Sequence, residues 1–322
     1  MSKELKKIFY YIFSSIILIL FITSFKVISE IDSAPNLKQV YSSEIYNEQY
    51  AARYIEFSIQ YNKQRAIRSI ELEDQYTFSS LKKLSNNSQL NNELTNLLAP
   101  IFLVFDFRKN AIIFSKNSNH RWPLASLTKL MTALIALENL PKDKIIKINE
   151  KGEEFKVLDL IKATIIYSSN EATLALSNSF SEKEFILLMN KKAEEIGMKN
   201  TIFEEPTGLS MFNQSTGKDV IKLVKYILRV QPLIFEIAQL PQTTIIEQKS
   251  GTKIDIYNTH PFVGQLNFMG GKTGLIRISN GNLLSIFENN KNLVLIVVLG
   301  AEDRYEETKK IMDIYIQQSK LD

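Results

Sequence analysis

Ser126 and Lys129 stand three residues apart in "WPLASLTKLMTALIALENL". At the start of a helix that spacing puts a hydroxyl and an amine on one face. An ammonium taken out of water loses affinity for its proton, so a buried Lys129 can act as general base toward the Ser126 hydroxyl. That is a complete nucleophile and base with no histidine. Ser79, Ser80, Ser215 and Ser250 also have a lysine three residues on, at Lys82, Lys83, Lys218 and Lys253, so the spacing alone does not single out Ser126. Its surroundings do. Pro123 precedes it, and Leu127, Leu130, Met131, Ala133, Leu134 and Leu137 follow in the pattern of a core helix. Ser79 and Ser80 fall in a polar stretch where their lysines stay solvated. Lys253 belongs to a Gly-Thr-Lys turn, and Ser215 is placed as the N-cap of an amphipathic helix.

Two further elements carry polar groups suited to the same chemistry. In "LIKATIIYSSNEATLALSNSF", Ser168 and Asn170 close an apolar helix two residues apart. The hydroxyl there can relay a proton and the amide can hold a substrate amide. The pattern is common, recurring at Ser85/Asn87 and Ser115/Asn117. Lys272-Thr273-Gly274 occurs once, after Gly270 and Gly271 and before the apolar Leu275, Ile276 and Ile278. A glycine-rich strand start lets a peptide backbone come close. Lys272 offers fixed positive charge and Thr273 a hydroxyl suited to a carboxylate.

Composition narrows the chemistry to such groups. With no Cys, the chain has no disulfide, thiolate metal site or cysteine nucleophile, and with two His it poorly supports a histidine metal site or a Ser-His-Asp triad. A net charge of +4 over 322 residues does not point to nucleic acid. Catalysis here runs on Ser, Thr, Lys, Tyr, Asp or Glu, with no metal and no cofactor implied.

These elements need a scaffold. From Pro100 onward the chain reads as one domain. "IFLVFDF" and "AIIFS" around "RKN" predict a β-hairpin, a helical middle runs from about Leu127 to Leu228, and "GGKTGLIRI", "NLLSIF" and "LVLIVVLG" predict three strands before a last helix, "YEETKKIMDIYIQQ". Both ends of the domain then complete one antiparallel sheet. "GKTG" lacks the spacing of a phosphate loop and opens a strand. Upstream, Ile8–Phe25 is uncharged; its 18 residues would rise roughly 27 Å as a helix, a bilayer's hydrocarbon thickness. Lys3, Lys6 and Lys7 before it put the N-terminus inside and the rest outside. A cleaved signal peptide is the rival, but the first Ala after the run is Ala34, behind Ile31 and Asp32. The reading is a single transmembrane helix within residues 1–26, a polar, partly helical stalk or small module over 27–98, and a catalytic domain over 99–322.

Taken in order, SxxK, SxN and KTG resemble the motifs of the penicillin-recognising serine enzymes. "LASLTKLMTAL", "FKVLDLIKATIIYSSNEATLALSN", "FILLMNKKAEEIGMKNTIFEEPTGL" with "STGKD", and "YNTHPFVGQLNFMGGKTG" are similar to the low-molecular-mass D-Ala-D-Ala carboxypeptidases, from about Ile101 to Gln318. The resemblance implies an α/β fold of the α+β type, β-lactamase/transpeptidase-like, with an antiparallel sheet flanked by helices and a helical subdomain. It implies Ser126 as nucleophile, Lys129 as base and Ser168 as proton relay. It also implies Asn170 on the substrate amide, Lys272 tuning the field, Thr273 and Gly274 at the substrate's carboxylate end, and backbone N–H groups of Ser126 and Leu275 as oxyanion hole. Substrates would be peptidoglycan stem peptides and β-lactams covalent inhibitors, at the outer side of a bacterial cytoplasmic membrane.

Departures accompany the likeness. The family usually carries an aromatic residue or His and then Thr after the third motif; here Leu275 and Ile276 remove a hydroxyl, with Arg277 as the candidate to compensate. The stretch between Lys147 and Phe155 is short for the family, and the common β-rich C-terminal domain and amphipathic tail have no counterpart, an N-terminal anchor standing in their place. A D,D-endopeptidase shares the motifs. A non-catalytic β-lactam or wall-binding receptor is the alternative from another class. A β-lactamase is disfavoured because no Glu-x-x-x-Asn element lies between the second and third motifs.

Overall fold

The computed structural model describes Leu94 and residues 96–148 and 151–319. Ile8–Phe25 and nearly all of the 27–98 segment lie outside the described residues. Among the described residues no helix is long and apolar enough to cross a membrane.

Five strands form one antiparallel sheet: β1 (Ile101–Asp106), β2 (Ala111–Lys116), β9 (Phe268–Ile276), β10 (Asn280–Asn289) and β11 (Asn292–Ala301), in the order β2-β1-β11-β10-β9. The predicted hairpin, the three C-terminal strands and their closure by both ends of the domain are all present. β1 is apolar from Ile101 to Phe105 and β11 from Leu293 to Leu299, and β1 is buried throughout. Such runs mark strands covered on both faces, where alternation with polar residues disappears. One face packs Phe102, Val104, Ile296 and Val298 under Ile311, Ile314 and Tyr315 of the last helix, α7 (Arg304–Ser319). Leu94 and Leu97 join this cluster, so packing of the sheet begins a few residues before the boundary drawn at 98/99. On the other face Gly217 opens helix α5 (Gly217–Val230), its Cα so near Leu103 that an added Cβ would lie 2.7 Å from the Leu103 side chain.

The helical middle is more broken than expected. It holds α1 (Lys129–Asn139), α2 (Val157–Lys162), α3 (Asn170–Asn178), α4 (Glu182–Glu195) and α5, followed by α6 (Leu233–Ala238). Between them run a hairpin of β4 (Ile145–Ile148) with β5 (Glu153–Lys156) and a two-residue pairing of β3 (Trp122–Pro123) with β6 (Gln214–Ser215); a second hairpin joins β7 (Gln242–Ile246) to β8 (Lys253–Tyr257). Strands of two to five residues hold too few positions for a period to register against helical neighbours. Ser215 is not the N-cap of α5. It is buried in β6 against the Thr201 hydroxyl at 2.7 Å, and Thr216 caps the helix by accepting from the Asp219 N–H.

Candidate active site

The serine turn is built by close backbone approach. Ser126 lies in a 3-10 turn, Ala125–Thr128, leading straight into α1. Ala125 before it has φ 49°, a left-handed conformation that an alanine adopts only when its surroundings hold it there. Two glycines do so. A Cβ on Gly208 would come within 1.9 Å of the Ala125 carbonyl oxygen, and one on Gly274 within 2.9 Å of the Leu124 oxygen and 3.2 Å of the Ser126 nitrogen. The open side of Gly274 is therefore taken up by the chain's own backbone, which sets Ser126 against β9. Asn282 secures the approach from β10, its buried amide donating to the carbonyls of Pro123 at 2.8 Å and Leu124 at 3.0 Å. The Arg304 guanidinium donates to the Gly274 carbonyl from behind.

Lys129 is fully buried, and its Nζ meets three acceptors: Ser126 Oγ at 3.1 Å, Asn170 Oδ1 at 2.7 Å and Thr207 O at 2.6 Å. Asn170 Oδ1 and the Thr207 carbonyl can only accept. A neutral amine would give them its two protons and turn its lone pair to the Ser126 hydroxyl. Burial lowers the Lys129 amine to about 8, against the pull of the Glu205 carboxylate, which favours the ammonium.

Glu205 had no role in the sequence reading, and it organises this corner. Its carboxylate accepts from the N–H groups of Thr207 (2.6 Å), Gly208 (2.6 Å) and Ser210 (3.2 Å) and from the Asn213 amide (2.7 Å). Asn213 in turn accepts from the Glu204 and Glu205 N–H groups and donates to the Thr128 hydroxyl. The loop so held presents the Thr207 carbonyl to Lys129 and Gly208 to Ala125. The adjacent acids in "EEPTG" were the available signal.

The second lysine faces the first across the cleft. α2 continues through a π-turn, Ala163–Tyr167, and ends on Ser168, whose φ of 63° lifts it out of the helix. Lys272 Nζ donates to Ser168 Oγ at 2.8 Å and to its neighbour's carbonyl, Thr273 O, at 3.1 Å. Burial drives the Lys272 amine well below its ordinary value, and repulsion from Lys129 and Arg304 adds to it. Ser168 thus belongs to Lys272, while Asn170, two residues on, belongs to Lys129. Ser169 between them caps α3 by accepting from the Ala172 N–H.

Thr273 follows on β9, nearly buried, and its hydroxyl lies 3.3 Å from that of Thr259. Leu275 is exposed, and Arg277 stands in the turn beyond β9. Ser126 and Asn170 are therefore joined through Lys129, Ser168 is joined to Lys272, and Gly274 lies against the backbone before Ser126, beside β9, an edge strand. Ser215 and Ser250 sit elsewhere, Ser250 bonded to Glu247; Ser79 and Ser80 lie outside the described residues. Among the described residues no group of three or more His, Cys, Asp or Glu is placed to hold a metal ion.

Such a site permits acyl transfer: a hydroxyl beside a depressed amine, a second hydroxyl beside another, and backbone N–H groups of a turn and an edge strand between them. Known proteins similar to this chain include peptidases. The D-alanyl-D-alanine endopeptidase of Haemophilus influenzae is 34% identical over 221 residues, 62% of this chain and 75% of that protein. The D-alanyl-D-alanine carboxypeptidase DacF of Bacillus subtilis is 30% identical over 235 residues, 64% of this chain and 59% of that one. Among solved structures, the ampicillin-bound penicillin-binding protein D2 of Listeria monocytogenes superposes with a TM-score of 0.62 at 26% identity, covering 68% of this chain and 98% of its own. The peptidase S11 family, described as D-alanyl-D-alanine carboxypeptidase, matches residues 142–303, which take in Ser168, Asn170 and Lys272. With its α+β transpeptidase-like fold and this match over half its length, the chain belongs to the peptidase S11 family.

Proposed function

We propose that this protein is a serine D,D-peptidase of the bacterial cell wall that removes the terminal D-Ala from peptidoglycan stem peptides. The observation that carries the reading is the paired arrangement of Ser126 with Lys129 and Ser168 with Lys272 on the two sides of one cleft. Ser126 Oγ attacks the carbonyl carbon of the penultimate D-Ala as its proton passes to Lys129 Nζ. The N–H groups of Ser126 and Leu275 take the charge that forms on the carbonyl oxygen. Collapse breaks the C–N bond as Ser168 hands its proton to the leaving D-Ala amine and takes in return the one held by Lys129. An ester on Ser126 remains, and the Lys129 amine is neutral again. Water then cleaves the ester with Lys129 again as base, restoring the hydroxyl. Asn170 aligns the substrate amide, and Thr273 takes the terminal carboxylate. A β-lactam offers the same hydroxyl a strained amide whose ring stays attached after opening, so its ester deacylates slowly.

A second reading has its own support: the Haemophilus influenzae relative, with its identity of 34%, is named an endopeptidase. The same ester chemistry would then act on a crosslink between two stems. Mass analysis of products from purified muropeptides separates the two. Free D-Ala from pentapeptide monomers supports the carboxypeptidase; monomers released from crosslinked dimers support the endopeptidase. Turnover of neither, with a β-lactam adduct still formed, moves the protein to the receptor class. We further place the catalytic domain outside the cytoplasmic membrane, anchored by Ile8–Phe25, on the strength of that uncharged run behind three lysines.

A further inference from the structure

The three residues after β8 are pinned one by one. The Asn258 amide donates to the carbonyls of Ala238 and Leu240, both at 2.8 Å, and its oxygen accepts from the His260 N–H at 2.9 Å. The Thr259 N–H donates to the Ile166 carbonyl at 3.1 Å, one helix end away from Ser168. His260 is buried behind β9 and stacks on Phe268 with ring centroids 4.4 Å apart. Its Nδ1 accepts from the Phe262 N–H, so its proton lies on Nε2, which donates to Leu284 O at 3.0 Å. Gly271 makes room for this ring: a Cβ there would fall 2.5 Å from Nε2. Of the three residues, Thr259 is the exposed one. So rigid a mount for one exposed hydroxyl calls for a reason.

Proton accounting supplies it. Thr259 Oγ1 lies 3.3 Å from Thr273 Oγ1 and 3.4 Å from Ile166 O, both long for a hydroxyl bond. The Ile166 carbonyl also takes the Thr259 N–H at 3.1 Å and keeps that bond if the hydroxyl turns away, so the long hydroxyl contact is readily exchanged for one to a ligand. Two hydroxyls side by side, each with one proton weakly engaged, match the two oxygens of a single carboxylate. The Arg304 guanidinium stands behind them at the Gly274 carbonyl, and the buried Lys272 amine, next in the chain, holds its proton more readily once an anion is near. β9 itself offers no other hydroxyl between Lys272 and Ile276.

We infer that Thr259 and Thr273 form a two-hydroxyl clamp for the free carboxylate of the ligand, with Thr259 supplying the second hydrogen bond. The clamp rests on the D,D-peptidase reading and adds to it a binding residue from outside the three motifs. The test is the second-order acylation rate of the full chain with benzylpenicillin and with its carboxyl methyl ester. Removing one hydrogen bond to a charged group costs on the order of ten- to a hundredfold. Thr259→Val should show that loss with the free acid and keep the wild-type rate with the ester, while Thr259→Ser, which retains the hydroxyl, stays close to wild type with both. Equal losses for acid and ester, or a Thr259→Val protein with the wild-type free-acid rate, would overturn the clamp. Thr259→Ala carries the same prediction should the valine variant fail to fold. A wild type that reacts with neither compound refutes the D,D-peptidase reading itself, and the clamp with it.

Discussion

The base role proposed for Lys129 makes acylation a titration. With its amine lowered to about 8, about a tenth of the protein carries a neutral Lys129 at pH 7, and about a hundredth at pH 6. The sign follows from the base role. Only the unprotonated amine can take the Ser126 proton, so the rate is full above about 8 and is lost as the pH falls through it. Stopped mixing with a chromogenic β-lactam between pH 5.5 and 9.5 should give a rate rising about tenfold per unit at the acid end and levelling above the midpoint. Glu205→Gln separates this group from any other. The carboxylate favours the ammonium, so its removal should move the midpoint to lower pH. The loss of two charge-assisted bonds to the Thr207 loop should also lower the plateau. Lys129→Arg, a permanent cation, should remove the rise altogether and cost on the order of a hundred- to ten-thousandfold at the plateau. A flat profile from pH 6 to 9, or a Glu205→Gln midpoint that moves upward, would refute Lys129 as the titrating base.

Ser126→Ala is expected to abolish the covalent penicillin adduct while Ser215→Ala and Ser250→Ala retain it; peptide mass spectrometry that finds an adduct on any other serine overturns the nucleophile. Gly208→Ala forces a Cβ to within 1.9 Å of the Ala125 oxygen at φ +87°, so it should lose about 2–5 kcal/mol in urea unfolding together with most of its labelling; a variant within 1 kcal/mol, by about that margin of wild type, contradicts the packing of the serine turn. His260 is held at about 3 by burial against an ordinary 6.5. As pH falls from 6.5 toward 3 the unfolded chain takes up a proton that the folded one refuses, and stability should drop by about 1.4 kcal/mol per unit. His260→Leu should flatten that limb, and an unchanged slope would assign it to other groups. Protease added to intact spheroplasts should digest the catalytic domain; protection until lysis would reverse the proposed topology.

What the sequence makes legible here is what it encodes locally. Ser126 and Lys129 meet because one helical turn joins them, and β11 announces itself because residues 293–299 form an uninterrupted apolar run long enough to stand out. Ser168 and Asn170 are likewise readable as a pair, yet their separate allegiance is not. Which lysine each one touches depends on the left-handed turn at Ser168, and no neighbouring glycine or proline marks that turn. The short hairpins β4–β5 and β7–β8 and the cap at Thr216 are lost for want of length. The groups that complete the site are hidden for a different reason. Glu205 and Asn282 hold the backbone beside Lys129 and Ser126, and Thr259 meets Thr273 from another element, through hydrogen bonds that leave no period behind.

The glycines show how these two kinds of information join. Gly274 is readable as part of a motif, and the sequence suggests that its missing side chain serves a ligand. In the fold that same absence is used first by Leu124 and Ala125, and Gly208 uses its own on the Ala125 carbonyl from the opposite side. Ala125 is thereby held at a positive φ between two backbones, and Ser126 cannot withdraw from β9 without moving both. Glu205 fixes one of those backbones through its loop and Arg304 the other through the Gly274 carbonyl, so the position of Ser126 is set by charged groups that never touch it. The strain at Ala125 is thus sustained by packing on both sides, and it holds the hydroxyl that we propose as nucleophile on a 3-10 turn beside β9.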